Sequence, residues 1–107
     1  MTKKTANEIA NNAIAELGGD WQNKVYPNGD EWCVNIESQT LDMTMVMNSG
    51  WNSGQWSVYS DLDNGYLCSG KTPTETVKQA VRVYTTKIGD LQAMMDTYRN
   101  RIEILNA

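Results

Sequence analysis

The sequence predicts an α+β domain: an N-terminal helix, an antiparallel meander of four or five strands, and a long C-terminal helix packed on one sheet face. Three observations carry this. A helical stripe occupies residues 6–17. A period of two then runs on to Ser69, punctuated by the turn pairs Asn28-Gly29 and Asn64-Gly65. From Val77 to Leu105, large apolar residues recur at alternating steps of four and three without a slip. The 107 residues fit a single domain over 1–107 with one core. Apolar residues make up 40% and charged residues 21%, a balance that favours folding over disorder.

The first helix starts at "TANE", Thr5–Glu8, which reads as a capping box. Ala6, Ile9, Ala10, Ala13, Ile14 and Leu17 form its apolar stripe, and Gly18-Gly19 stops it. Residues 21–26 and 31–37 then form a hairpin about the turn "PNGD". A third strand covers 40–47, a fourth 55–60 and a fifth 66–69.

Alternation assigns the faces. Trp32, Val34, Ile36, Leu41, Met43, Met45, Met47, Trp56 and Val58 point to the core. Cys33, Asn35, Glu37, Asp42, Thr44, Val46, Ser57 and Tyr59 point to an open, polar face.

"TPTE", Thr72–Glu75, is a second capping box, with Pro73 in the first turn where proline is tolerated. The seam that follows has Val81, Ile88, Met95 and Ile102 at heptad positions a. Val77, Tyr84, Leu91, Tyr98 and Leu105 fall at d. This pattern permits a two-stranded coiled coil. In a parallel pair, however, Lys87 would face Gln92, Met94 would face Arg99 and Arg101 would face Asn106, none a complementary charge pair.

A helix over 73–105 is about 50 Å long, whereas five strands span only about 20–25 Å. The first half, to Ile88, fits on the sheet. For the second half two arrangements stay open. Gly89 bends the tail back, or residues 90–105 project and bind something, most simply a second copy through Leu91, Met95, Tyr98 and Ile102.

Little in the chain points to catalysis. There is no histidine, and the two cysteines, Cys33 and Cys68, make no CxxC pair, so no metal or cofactor is expected. A Cys33–Cys68 disulfide and two reduced thiols are both open, the thiols being the simpler reading. "SGKT" at Ser69–Thr72 lacks the upstream glycine of a phosphate-binding loop and reads as strand end and helix cap. "DLDNG" places Gly65 one position early for a calcium loop and reads as a turn. "MTMVM" is core beneath a helix. The N-terminus lacks the apolar stretch of a signal peptide and no run suits a membrane span, so the expected location is cytoplasmic.

Charge is unevenly spread. Residues 1–70 hold three basic and nine acidic residues, a net of −6; residues 71–107 hold six and four, a net of +2. An acidic body disfavours direct nucleic-acid binding and suits a basic partner surface. Trp51, in the polar loop "NSGWNSGQW", is a candidate anchor for a partner or a lid on the core.

The layout of capped helix, compact meander and "GKTPTETVKQAVRVY" launching a terminal helix, with small size and acidity, resembles small phage-encoded anti-defence proteins such as anti-CRISPR inhibitors. It is a likeness of layout over the whole chain. It implies a non-enzymatic protein-binding module that occludes a host nucleoprotein or defence complex in the host cytoplasm. On that reading Glu37, Asp42, Asp61 and Asp63, near or on the open sheet face, would meet a basic surface, with Trp51 and Tyr59 beside them. Two other expectations stand next to it: a self-associating structural protein using the helical seam as a homodimer, and a small-ligand binder with a pocket near Trp51 and Tyr59.

Overall fold

Helix α1 runs from Lys3 to Leu17, three residues earlier than its apolar stripe suggests, because the cap is Thr2 and not Thr5. The Thr2 hydroxyl accepts the Thr5 amide at 3.2 Å. A threonine three residues before the expected one supplies the same oxygen, so the helix gains most of a turn. Ala6, Ala10 and Ala13 are buried and Ile9, Ile14 and Leu17 half-buried, so the expected stripe faces the core. The structure, a computed structural model, describes residues 1–48 and 54–107.

The strands are β1 (Gln22–Asn23), β2 (Tyr26–Asn28), β3 (Glu31–Cys33), β4 (Asn35–Ser38), β5 (Met43–Met47), β6 (Trp56–Ser60) and β7 (Gly65–Gly70). A five-stranded antiparallel sheet has the order β1-β4-β5-β6-β7, and β2 and β3 form a separate ribbon. The first hairpin is thus cut in two. Its register nonetheless never changes: Gln22 opposes Glu37, Asn23 opposes Ile36, Tyr26 opposes Cys33 and Asn28 opposes Glu31. At the break the Asn23 side chain accepts the Val25 amide at 2.9 Å, while the Lys24 amide still bonds the Asn35 carbonyl at 2.8 Å. The same side chain donates to Asn7 and Asn11, tying the hairpin to α1. The turn holds Gly29 and Asp30, with positive φ at Gly29 alone, so Asn28 remains in the strand.

The third strand begins at Met43 rather than Thr40, because Asp20 captures the preceding turn. Its carboxylate accepts the Ser38 hydroxyl at 2.5 Å, the Thr40 amide at 3.0 Å and the Thr40 hydroxyl at 2.7 Å. Two expectations fail there. Leu41 is 53% exposed rather than core, and Asp42 sits in the turn at φ 53° rather than on the open strand face. Ser57 also departs from its expected exposure: it is buried, its hydroxyl bonded to Asn48 and Ser69. Val34, Ile36, Met45, Trp56 and Val58 are buried as alternation requires.

Helix α2 runs unbroken from Pro73 to Leu105, capped by Thr72, whose hydroxyl accepts the Glu75 amide. Glu75 reaches back to the Lys71 amide, one residue beyond the usual capping-box donor. Gly89 does not interrupt the helix, so the tail does not fold back. Both helices lie on one sheet face, α1 over β1 and β4 and α2 over β6 and β7. The molecule measures 68 × 27 × 20 Å, because α2 outruns the sheet.

Sequence periodicity misassigned which face of α2 packs on the sheet. Pro73, Thr76 and Ala80 are buried and Val83 half-buried, whereas Val77 and Val81 are exposed. Each seam residue there follows a packing residue by one position, so the apolar seam is turned about 100° away from that packing row. The row consists of small residues because the backbones nearly touch. A Cβ on Gly70 would lie 2.7 Å from the Thr76 amide nitrogen and 2.8 Å from its hydroxyl. Thr76 spends that hydroxyl on the Thr72 carbonyl at 2.8 Å, so burial leaves it partnered.

Candidate functional site

Every residue of α2 from Thr85 onward is exposed. The seam therefore continues past the domain with nothing beneath it. Ile88, Leu91, Met95, Tyr98 and Ile102 are each between 49% and 58% exposed, and Leu105 is 83% exposed. About half of each side chain is covered, by the helix itself. The four residues expected to mediate self-association, Leu91, Met95, Tyr98 and Ile102, lie together on this open stripe.

The seam does not begin in open solvent. Its first three members, Val77, Val81 and Tyr84, line one wall of an apolar groove of about 630 Å³. The opposite wall is Leu17 to Trp21 at the end of α1 with Leu41 from the β4–β5 turn, and the floor is Met43, Met45 and Val58. The groove lies between the two helices on their shared sheet face, where α1 packs over β1 and β4 and α2 over β6 and β7, with the central strand β5 between them. Its polar rim is Asp20 and Thr40, already engaged with each other. Those three hydrogen bonds hold the Asp20 carboxyl down to about 2, the Ser38 hydroxyl contributing most.

The point where α2 leaves the sheet is pinned by Asp63. This residue corrects the sequence expectation, since its side chain turns to the helix side instead of the open face. Its carboxylate, only 3% exposed, accepts from Lys87 Nζ at 2.7 Å, the Ser60 hydroxyl at 2.5 Å and the Tyr84 hydroxyl at 2.6 Å. The Lys87 ammonium, then the two hydroxyls, hold the Asp63 carboxyl down to about 2. Partial burial and the Asp63 carboxylate push the Tyr84 phenol up. Tyr84 is a seam residue whose polar end locks the helix while its ring faces the groove.

On the other sheet face, Glu37, Asp42, Tyr59 and Asp61 share a shallow hollow of about 370 Å³ with Thr44 and Gly65. Four of the expected partner-binding residues thus come together although two sit in turns. Tyr59 is braced by Tyr66, edge to face at 5.9 Å. Trp51, the remaining candidate, lies outside the described residues.

Cys33 and Cys68 are both free thiols, the first half-buried and the second buried, so the disulfide alternative falls. Burial pushes the Cys68 thiol up, and it donates to the Thr76 carbonyl at 3.4 Å. Among the described residues no group of three or more histidines, cysteines or carboxylates is placed to hold a metal ion. No helix among them is long and apolar enough to cross a membrane. Comparison with protein-family models, curated proteins and solved structures found no match.

Two features escaped the sequence reading. The groove needs a gap between two helices, which no local pattern encodes. The Asp63 anchor joins a turn to a helix 24 residues later. The close pair Thr76 and Ala80, small residues four apart beside the seam, was the available signal that a different helix face packs down.

Proposed function

We propose that this chain is a protein-binding module that self-associates along the exposed seam of α2. The observation that carries the reading is an uninterrupted apolar stripe on a helix that projects from its own domain. Area supports it. A compact monomer of 12.0 kDa is expected to expose about 6,000 Å², and this chain exposes 7453 Å². The excess, about 1,500 Å², exceeds the roughly 800 Å² that each partner contributes to a standard interface. The radius of gyration, 18.6 Å, likewise exceeds the about 13 Å of a compact chain this long. Two-fold dimers are the commonest closed assembly and match a seam to its own copy.

A second reading rests on the open face. The convergence of Glu37, Asp42 and Asp61 beside Tyr59 favours a basic protein surface as partner. It is compatible with an inhibitor of a host nucleoprotein complex, the role implied by the likeness to phage anti-defence proteins. The two readings use opposite sheet faces and do not exclude each other.

Light scattering on the intact chain and on Tyr98→Glu tests the first. A dimer that becomes a folded monomer supports self-association; a monomer at 100 µM or so in the unaltered chain refutes it. For the second, Glu37→Lys with Asp61→Lys should abolish capture of a basic partner protein without lowering the melting temperature.

A further inference from the structure

We propose that two copies pair antiparallel, so that the bare tip of one α2 seats in the groove beside the root of the other. This deepens the self-association reading and rests on it.

The groove and the tip are complementary in a way a parallel pair cannot use. In an antiparallel pair centred on Leu91, the partner's Leu105 comes beside Val77 and the partner's Tyr98 beside Tyr84. Each pair is symmetric about the centre, Leu105 and Val77 each 14 residues from Leu91 and Tyr98 and Tyr84 each 7, so the tip reaches the groove and stops there. The occupant is slim: past Lys87, which is bonded to Asp63, every residue of α2 is exposed, a bare rod about 10 Å across. It enters between α2 and the wall made by Trp21 and Leu41, over the part of the sheet between the two helices. In a parallel pair the object at that height would be the partner's own root, already committed to its sheet. Both grooves would stay empty and both tips would meet only each other. The parallel arrangement would also set two bodies side by side, each with a net −6 over residues 1–70. Like charges repel at separations within about 8 Å in physiological salt, and the antiparallel pair moves the bodies to opposite ends.

The experiment is a distance between spin labels. Glu103→Cys, off the seam and exposed, is labelled in a Cys33→Ser background with Cys68 left buried, one label per chain being verified by mass. Antiparallel pairing predicts label separations of about 30–40 Å, from 1.5 Å of rise per residue on either side of the centre. A separation under about 20 Å means a parallel coil, which overturns this inference and leaves self-association standing. No dipolar signal together with a monomer mass at 100 µM or so overturns both. A second variant reads the groove directly. Leu41→Asp is off the helix and exposed, and it should weaken the dimer at least tenfold if the tip sits on it. An unchanged dissociation constant shows the groove is not part of the interface.

Discussion

Replacing Tyr98 by glutamate separates the domain from its seam. Tyr98 is 55% exposed, about three turns beyond Lys87, which bonds to Asp63. A fully covered aromatic ring removes about 150–250 Å² from water, so pairing would cover about 100 Å² more of each copy. Two copies at about 25 cal/mol per Å² amount to about 5 kcal/mol. Allowing for incomplete cover, and for a carboxylate that resists burial, a loss of about 4 kcal/mol is expected, about a thousandfold in Kd. Glutamate is a good helix former, so the substitution attacks the interface and not the helix. The monomer should change by no more than about 0.5 kcal/mol, as exposed positions do. Sedimentation equilibrium across a concentration series gives the first quantity and circular-dichroism melting of dilute samples the second. A dimer constant within threefold of the unaltered chain would show that the seam is not where copies meet. Loss of the folded domain itself would show that residues past Lys87 support the core, which contradicts their exposure.

Deleting residues 89–107 should leave a folded monomer whose melting temperature no longer depends on concentration, with a proportionate loss of helical ellipticity. Gly70→Ala should destabilise by about 1–3 kcal/mol in denaturant melts, because the new methyl meets the backbone of Thr76 at 2.7 Å. Ile36→Ala, fully buried beneath α1, should cost about 2–5 kcal/mol by the same measurement. Acid stability should follow Asp20 and Asp63, whose carboxyls lie at about 2 when folded against 3.8 ordinarily. Below the ordinary value the unfolded chain binds more protons, so their stabilisation is complete above about pH 4 and is lost as pH falls through 2. Tryptophan fluorescence followed against pH should show that loss, reduced in Asp63→Asn; an unchanged profile in the variant would rule out the anchor as its source.

Local pattern in the sequence settled a great deal. The helical stripe of Ala6 to Leu17, the Asn64-Gly65 turn, the Thr72 cap with Pro73, and the alternation of Val34, Ile36, Met45 and Val58 all appear where spacing puts them. These features depend on contacts a few residues apart or on one period repeated, and both are written in a single stretch of chain. The length of α2 against the width of the sheet also narrowed its second half to a bend at Gly89 or a projecting tail, and the unbroken helix decided between them. Tertiary structure decided the rest. Asp63 turned from the open face because Lys87, Tyr84 and Ser60 converge on it from a helix and a strand. Leu41 lost its place in the core because Asp20, eighteen residues from Ser38, drew the turn closed. The packing face of α2 went to Thr76 and Ala80, and not to the more apolar Val77 and Val81, because Gly70 lets the backbones come closer than larger side chains permit. That choice left the root of the seam lining the groove and its tip bare, since a helix can press only one face onto a sheet and this one presses its small residues.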